Sequence, residues 1–210
     1  MKLKDAIEKV GGLSNPSKMP CHAYGISAHL CITGSKLAKV EGSVCADCYA
    51  LERGFYASWN TNLTKAHAKR AEAINAPDWA KTMAFIINTK KMDYFRWHDS
   101  GDLQSFQHLL NIVTIAEQCP NTRFWLPTRE KKFINQYAEA FGDFPKNLVV
   151  RVSATMQDEP ASKDYKNTST VHKNKKPIGR ACKASNQNGK CLDCRDCWNP
   201  RIKNISYAYH

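Results

Sequence analysis

Nine cysteines in 210 residues carry most of the chemistry this sequence can offer. Cys21, Cys31, Cys45 and Cys48 lie near the N-terminus, Cys182, Cys191, Cys194 and Cys197 near the C-terminus, and Cys119 stands alone between them. In a secreted chain such a set would be read as a disulfide framework; in a reducing compartment it is read as metal ligation or catalysis. The opening MKLKDAIEKVGG has charges where a secretory leader needs an apolar run. No stretch approaches the ~20 apolar residues of a membrane span. The expectation is a cytoplasmic protein, with no membrane partner, whose thiols are reduced.

The sharpest motif is Cys191-Leu-Asp-Cys194-Arg-Asp-Cys197. A C-x2-C-x2-C loop can present three thiolates to three irons of one cubane, as in bacterial ferredoxins, with the fourth ligand arriving from elsewhere. Here that ligand would be Cys182 or an N-terminal cysteine. A mononuclear zinc site more often uses two separated C-x2-C pairs, and would leave one thiol of this run spare. The ferredoxin run has proline just after its last cysteine, whereas Trp198-Asn199-Pro200 follows here. The expected cofactor is a [4Fe-4S] cluster, one or two of them, with zinc as the alternative. In the N-terminal group, Cys45-Ala46-Asp47-Cys48 opens a helix whose dipole favours thiolates. Its spacing suits a second cluster, three ligands to a shared cluster, a zinc knob, or a redox dithiol at Cys45 and Cys48. Cys119, before Pro120, reads as a small buried apolar residue. His22 adjoins Cys21, and adjacent residues rarely serve one ion well.

The elements that must position these groups follow from periodicity. Asp5 to Val10 reads as a short helix, and residues 13–48 as an irregular, ligand-bearing region. Trp59 to Ala76 has helical spacing and ends at Pro77; Asp78 is a candidate N-cap for a helix from Trp79, whose Met83–Asn88 portion also fits a buried strand. Tyr94–His98, Arg123–Leu126 and Leu148–Val152 read as strands, separated by helices at Ser105–Gln118 and Lys131–Phe141. Strand–helix–strand–helix–strand with short connections predicts an α/β fold with a parallel sheet, doubly wound or a partial or complete TIM-barrel-like (β/α) domain. Residues 157–176 read as a polar loop, and Ile205–Tyr209 as a last strand. The whole chain, 1–210, reads as one domain, with cysteine-bearing segments 17–50 and 180–198.

Parallel α/β folds gather ligands at the carboxyl ends of strands. His98, Asp99 and Asp102 end one predicted strand, Arg129 and Thr128 the next, Ser153 and Thr155 the third. A histidine beside two carboxylates can do acid–base work, and Arg129 can hold an anionic group. The plainer reading has Asp99 and Asp102 capping the helix after Ser105, and His98 as a satisfied half-buried residue. Trp97 and Trp125 read as core, and His67 and His108 as helix residues facing solvent or neighbours. Lys65, Lys69 and Arg70 look like one helix face. The net charge of +12 favours polyanions, and equally offsets an anionic thiolate cluster.

Three strings together carry a resemblance. They are Ser17-Lys18-Met19-Pro20-Cys21, Cys31-Ile32-Thr33-Gly34-Ser35-Lys36-Leu37-Ala38-Lys39, and Gly42-Ser43-Val44-Cys45-Ala46-Asp47-Cys48-Tyr49-Ala50. With Phe95–Asp102 and the Cys191–Trp198 run leading to Tyr207 and His210, they resemble the gene 88 protein family of bacteriophages over nearly the whole chain. The resemblance implies a phage-encoded protein of the bacterial cytosol that binds an iron–sulfur cluster. The arrangement is also similar to radical S-adenosylmethionine enzymes, whose C-x3-C-x2-C loop this sequence lacks.

The expectation is a [4Fe-4S] redox or electron-transfer protein with a host or phage redox partner, and a small-molecule site at the strand ends that would make it an enzyme. The rival is a zinc-stabilised nucleic-acid-binding protein, which explains the charge but not the triple-cysteine run.

Overall fold

A computed structural model describes residues 1–52 and 60–209. The chain runs α1 (Leu3–Lys9), β1 (Ala23–Tyr24), α2 (Ile32–Leu37), α3 (Tyr49–Glu52), α4 (Thr61–Ala73) and α5 (Trp79–Thr89), then β2 (Tyr94–Trp97). It continues through α6 (Phe106–Gln118), β3 (Arg123–Thr128), α7 (Lys131–Phe141), β4 (Leu148–Ser153), β5 (Thr168–His172), β6 (Arg180–Ala181) and β7 (Asn204–Ala208). The predicted strand–helix–strand–helix–strand core is present at these positions. Ser105 caps α6 by accepting from the His108 amide at 3.0 Å, and α6 turns Leu109, Ile112, Val113, Ile115 and Ala116 inward. Each of the leucine, isoleucine and valine side chains contributes roughly 1.5–3 kcal/mol when fully buried.

Among the described residues the seven strands are all parallel, in the order β1-β2-β3-β4-β5-β7-β6. Because side chains alternate along a strand, the sheet has two different faces. Phe95, Trp97, Phe124, Leu126, Leu148, Val150 and Val152 join the apolar core with α5, α6 and α7. The intervening Tyr94, Arg96, Trp125 and Arg151 point the other way, where the cysteine segments cover them. Trp198 donates its Nε1–H to the Phe95 carbonyl at 2.9 Å and sits edge-on to Tyr94 and Trp125. Arg96 lies over the Trp125 ring at 4.6 Å.

Several expectations change. Residues 13–48 are not wholly irregular: Ala23 and Tyr24 pair with Arg96 and Trp97 as an edge strand. The supposed polar loop of 157–176 contains β5, whose Thr168, Ser169 and Thr170 are buried although polar, so no hydrophobic period announced it. Met83–Asn88 is helix, within α5. Asp78 makes no side-chain cap bond and pairs with Lys9 instead. Arg70 does not belong to a solvated face; buried, it donates to the Gly11 and Gly25 carbonyls and to Ser14 Oγ. His67 and His108 are buried as well. The predicted start of α4 at Trp59 lies outside the described residues, as does His210.

Candidate metal centre

The carboxyl ends of β2, β3 and β4 open into a cavity of about 360 Å³. The chain after β2 makes its turn through His98, held at φ +53°, and Gly101, at φ +78°. This turn directs Asp102 at the end of β3, where its carboxylate accepts from the Leu103 amide (2.8 Å), Thr128 Oγ1 (2.6 Å) and the Arg129 amide (2.8 Å). Asp102 is thus a positioning group, not a helix cap. Burial raises its pKa, and these three bonds oppose the rise. His98 is buried, which pushes its pKa down to about 3 and keeps the ring neutral at pH 7. Asp99, Arg96, Arg129 and Trp125 line the cavity too.

Three of the predicted cysteines reach this mouth: Cys31, Cys45 and Cys48. Cys31 is delivered by the N-terminus of α2, which is fastened to the end of β3 by Glu130. The buried Glu130 carboxylate accepts from the Thr33 amide through Oε1 and from Thr33 Oγ1 through Oε2, both at 2.8 Å. Cys45 and Cys48 come from a loop stitched to the β4–β5 connection, with Val44 N donating to the Thr155 carbonyl at 2.9 Å and Gln157 Nε2 to the Ser43 carbonyl at 2.9 Å. Gly34 leaves the space between two of these thiols open. A Cβ there would lie 2.9 Å from Cys31 Cβ, 3.5 Å from Cys31 Sγ and 3.7 Å from Cys45 Sγ.

The thiols are unbridged. Burial pushes Cys31 up to about 12, with Asp102, Cys48 and Cys45 adding to the rise and Arg129 opposing it. Cys45 is also raised by burial, again against Arg129. A buried thiol so reluctant to ionise becomes a thiolate once a metal replaces its proton, and the nearby guanidinium offsets the resulting negative charge. The donor set, its largely desolvated position and the gap at Gly34 fit a thiolate-bound cluster. Among the described residues no three His, Cys, Asp or Glu side chains are grouped so as to hold one metal ion.

The remaining cysteines are placed elsewhere. Cys182, Cys191, Cys194 and Cys197 line a second, much smaller space with Trp198 and Ile205. Cys21 lies with them and not with its sequence neighbours: its thiol feels Cys191, Arg96 and Arg195, and the Cys191 amide donates to the Lys18 carbonyl at 2.9 Å. Cys119 is fully buried, its Sγ 3.6 Å from the Ala84 carbonyl. His22 faces the Ser14 carbonyl through Nδ1 at 3.3 Å.

Four site residues had no role assigned to them from the sequence: Arg96, Glu130, Arg151 and Tyr207. Arg96 and Tyr207 line the mouth, and Tyr207 OH is 3.2 Å from Cys197 Sγ. Arg151, fully buried in the middle of an apolar strand, donates to the carbonyls of Thr168, Asp196, Cys197, Asn199 and Ile202. A charged residue inside the run Leu148–Val152 was the available clue to Arg151.

No curated protein and no solved structure matches the chain. The family model described as Gene product 88 matches residues 2–200. That span takes in both cysteine groups and every strand but the last, and on this match the chain belongs to the gene product 88 family.

Proposed function

We propose that the protein is a [4Fe-4S] cluster-binding redox protein whose cluster sits at the strand-end mouth on Cys31, Cys45 and Cys48. The observation that carries this reading is three thiols, the buried Cys45 and the half-buried Cys31 and Cys48, on the rim of a cavity large enough for a small molecule, with no fourth thiol there among the described residues. Three thiolates leave one iron of a cubane without a protein ligand, so a bound small molecule can take that position. The cluster would supply one-electron transfer and an open Lewis-acidic iron. Arg96 and Arg129 supply positive charge for an anionic part of such a molecule, Asp99 and Asp102 polar contacts, and Trp125 an apolar wall. Neutral His98 is an uncharged wall of the cavity, which argues against its acting as a proton carrier near pH 7. The successive neighbours β1 to β5, with helices on one face and the thiols on the other, support a partial (β/α) barrel.

Anaerobic purification with iron, sulfide and zinc analysis and a visible spectrum tests the proposal. A brown protein with about four irons and four sulfides per cluster is expected. A colourless, zinc-loaded protein would overturn it. That result would favour the zinc-stabilised nucleic-acid-binding reading, which the net charge of +12 supports, and would be pursued through the salt dependence of DNA and RNA binding.

A further inference from the structure

We infer that Cys182, Cys191, Cys194 and Cys197 hold a second [4Fe-4S] cluster, separate from the mouth and with all four irons bound to protein. It goes beyond the reading of the mouth and uses none of the same thiols.

Three observations carry it. First, these four cysteines close around one small space, roofed by the buried Trp198 and Ile205. Second, a layer separates them from Cys31, Cys45 and Cys48. Tyr207 and Arg96 both line the mouth cavity, yet Tyr207 OH sits 3.2 Å from Cys197 Sγ, and Arg96 feels Tyr49 and Asp99 on one side and Cys197 on the other. One cubane shared between the groups would have to displace that layer. Third, hydrogen bonds to the sheet hold the loop bearing Cys194 and Cys197 in place. Arg151 gathers the carbonyls of Asp196, Cys197 and Asn199, and Trp198 anchors on β2. Ligands pre-held in this way lose little freedom when a cofactor binds.

Four thiolates and a cubane make an anionic group, and Arg96, Arg195 and Arg151 are the cations facing these thiols. The C-x2-C-x2-C run, which can present three thiolates to three irons of one cubane, favours a cluster over a zinc site. Four thiolates occupy four irons, so this centre, unlike the mouth, offers no position to a substrate. Cys21, beside Cys191 but outside the enclosed space, is a fifth thiol and not a ligand.

The test is anaerobic reconstitution of the full chain, with iron, sulfide and zinc counts and the electron paramagnetic resonance spectrum after reduction. The wild type is expected to hold about eight irons and eight sulfides. The variant Cys31→Ala/Cys45→Ala/Cys48→Ala should keep about four of each and one paramagnetic signal, and Cys21→Ala should keep all eight. Loss of all iron from the triple mouth variant, or zinc in place of iron there, overturns the second cluster. So does a Cys194→Ser/Cys197→Ser variant that folds and still holds the full iron and sulfide of the wild type. Iron retained in the mouth variant but absent from a folded Cys194→Ser/Cys197→Ser variant sinks the mouth reading alone. Should that double variant not fold, the mouth variant decides the question by itself.

Discussion

Gly34 and Glu130 show how single residues set the spacing and the anchoring of the thiols at the mouth. At Gly34 any side chain would press on Cys31 and crowd the gap between Cys31 and Cys45. Gly34→Ala should therefore lower the iron bound at the mouth by half or more while leaving the melting temperature of the metal-free chain almost unchanged; unchanged iron content would refute this. Glu130 fastens the turn that carries Cys31, and its two bonds to Thr33 are charge-assisted. Glu130→Gln keeps the shape but loses the charge and one acceptor, and should cost about 1–3 kcal/mol, read as a shift in the urea midpoint. His98 gives the pH dependence. Its folded pKa is about 3 against 6.5 when unfolded, so the unfolded chain takes up a proton that the folded chain refuses. Stability should fall as pH drops from about 6.5 toward 3, with His108 adding a slope of the same sign. His98→Asn, tolerated at positive φ, should flatten the fall between pH 6.5 and 5 in chemical denaturation; an equal slope in the variant would count against the buried neutral ring.

At the scale of elements, β4 and β7 tie the C-terminal cysteine loop to the sheet. Arg151 on β4 donates to five carbonyls of the 196–202 loop and β5, and so ties that loop to the sheet. Arg151→Met should destabilise the fold by roughly 3–5 kcal/mol, because the carbonyls lose a buried charged donor and no water replaces it. A calorimetric loss under 1 kcal/mol would show that the loop holds itself. On β7, Tyr207 is half-buried and desolvation raises its phenol pKa well above the usual value, so it faces Cys197 as a hydrogen-bond donor when that sulfur is ionised. A donor to a ligand sulfur favours the reduced, more negative cluster. Tyr207→Phe should thus shift one reduction potential to a more negative value with iron content unchanged, and a merely structural tyrosine would leave the potential where it was. Neither β5 nor β6 has a hydrophobic period, yet β5 lies between β4 and β7 and completes the wall of the mouth.

For the whole molecule, the sheet's two faces divide the labour: one packs α5, α6 and α7, and the other carries the cysteine segments. Among the described residues no helix is long and apolar enough to cross a membrane. The sequence by itself determined the α/β core, since the alternation of apolar residues with periods of 2 and 3.6 is a local property. It also named the candidate metal ligands, because cysteine, histidine and carboxylate identity needs no fold to be read. The convergence of His98, Asp99, Asp102 and Arg129 was legible as well, since parallel strands carry their carboxyl ends to one edge. Only the tertiary structure decided how the thiols are divided. Spacing along the chain put Cys21 with Cys31, Cys45 and Cys48, whereas β1 inserts between Cys21 and Cys31 and sends them to different sites. Pairing across the sheet also decided the roles of Arg151, Glu130 and Tyr207. Their partners lie 10 to 97 residues away in the chain, a separation that no local pattern encodes.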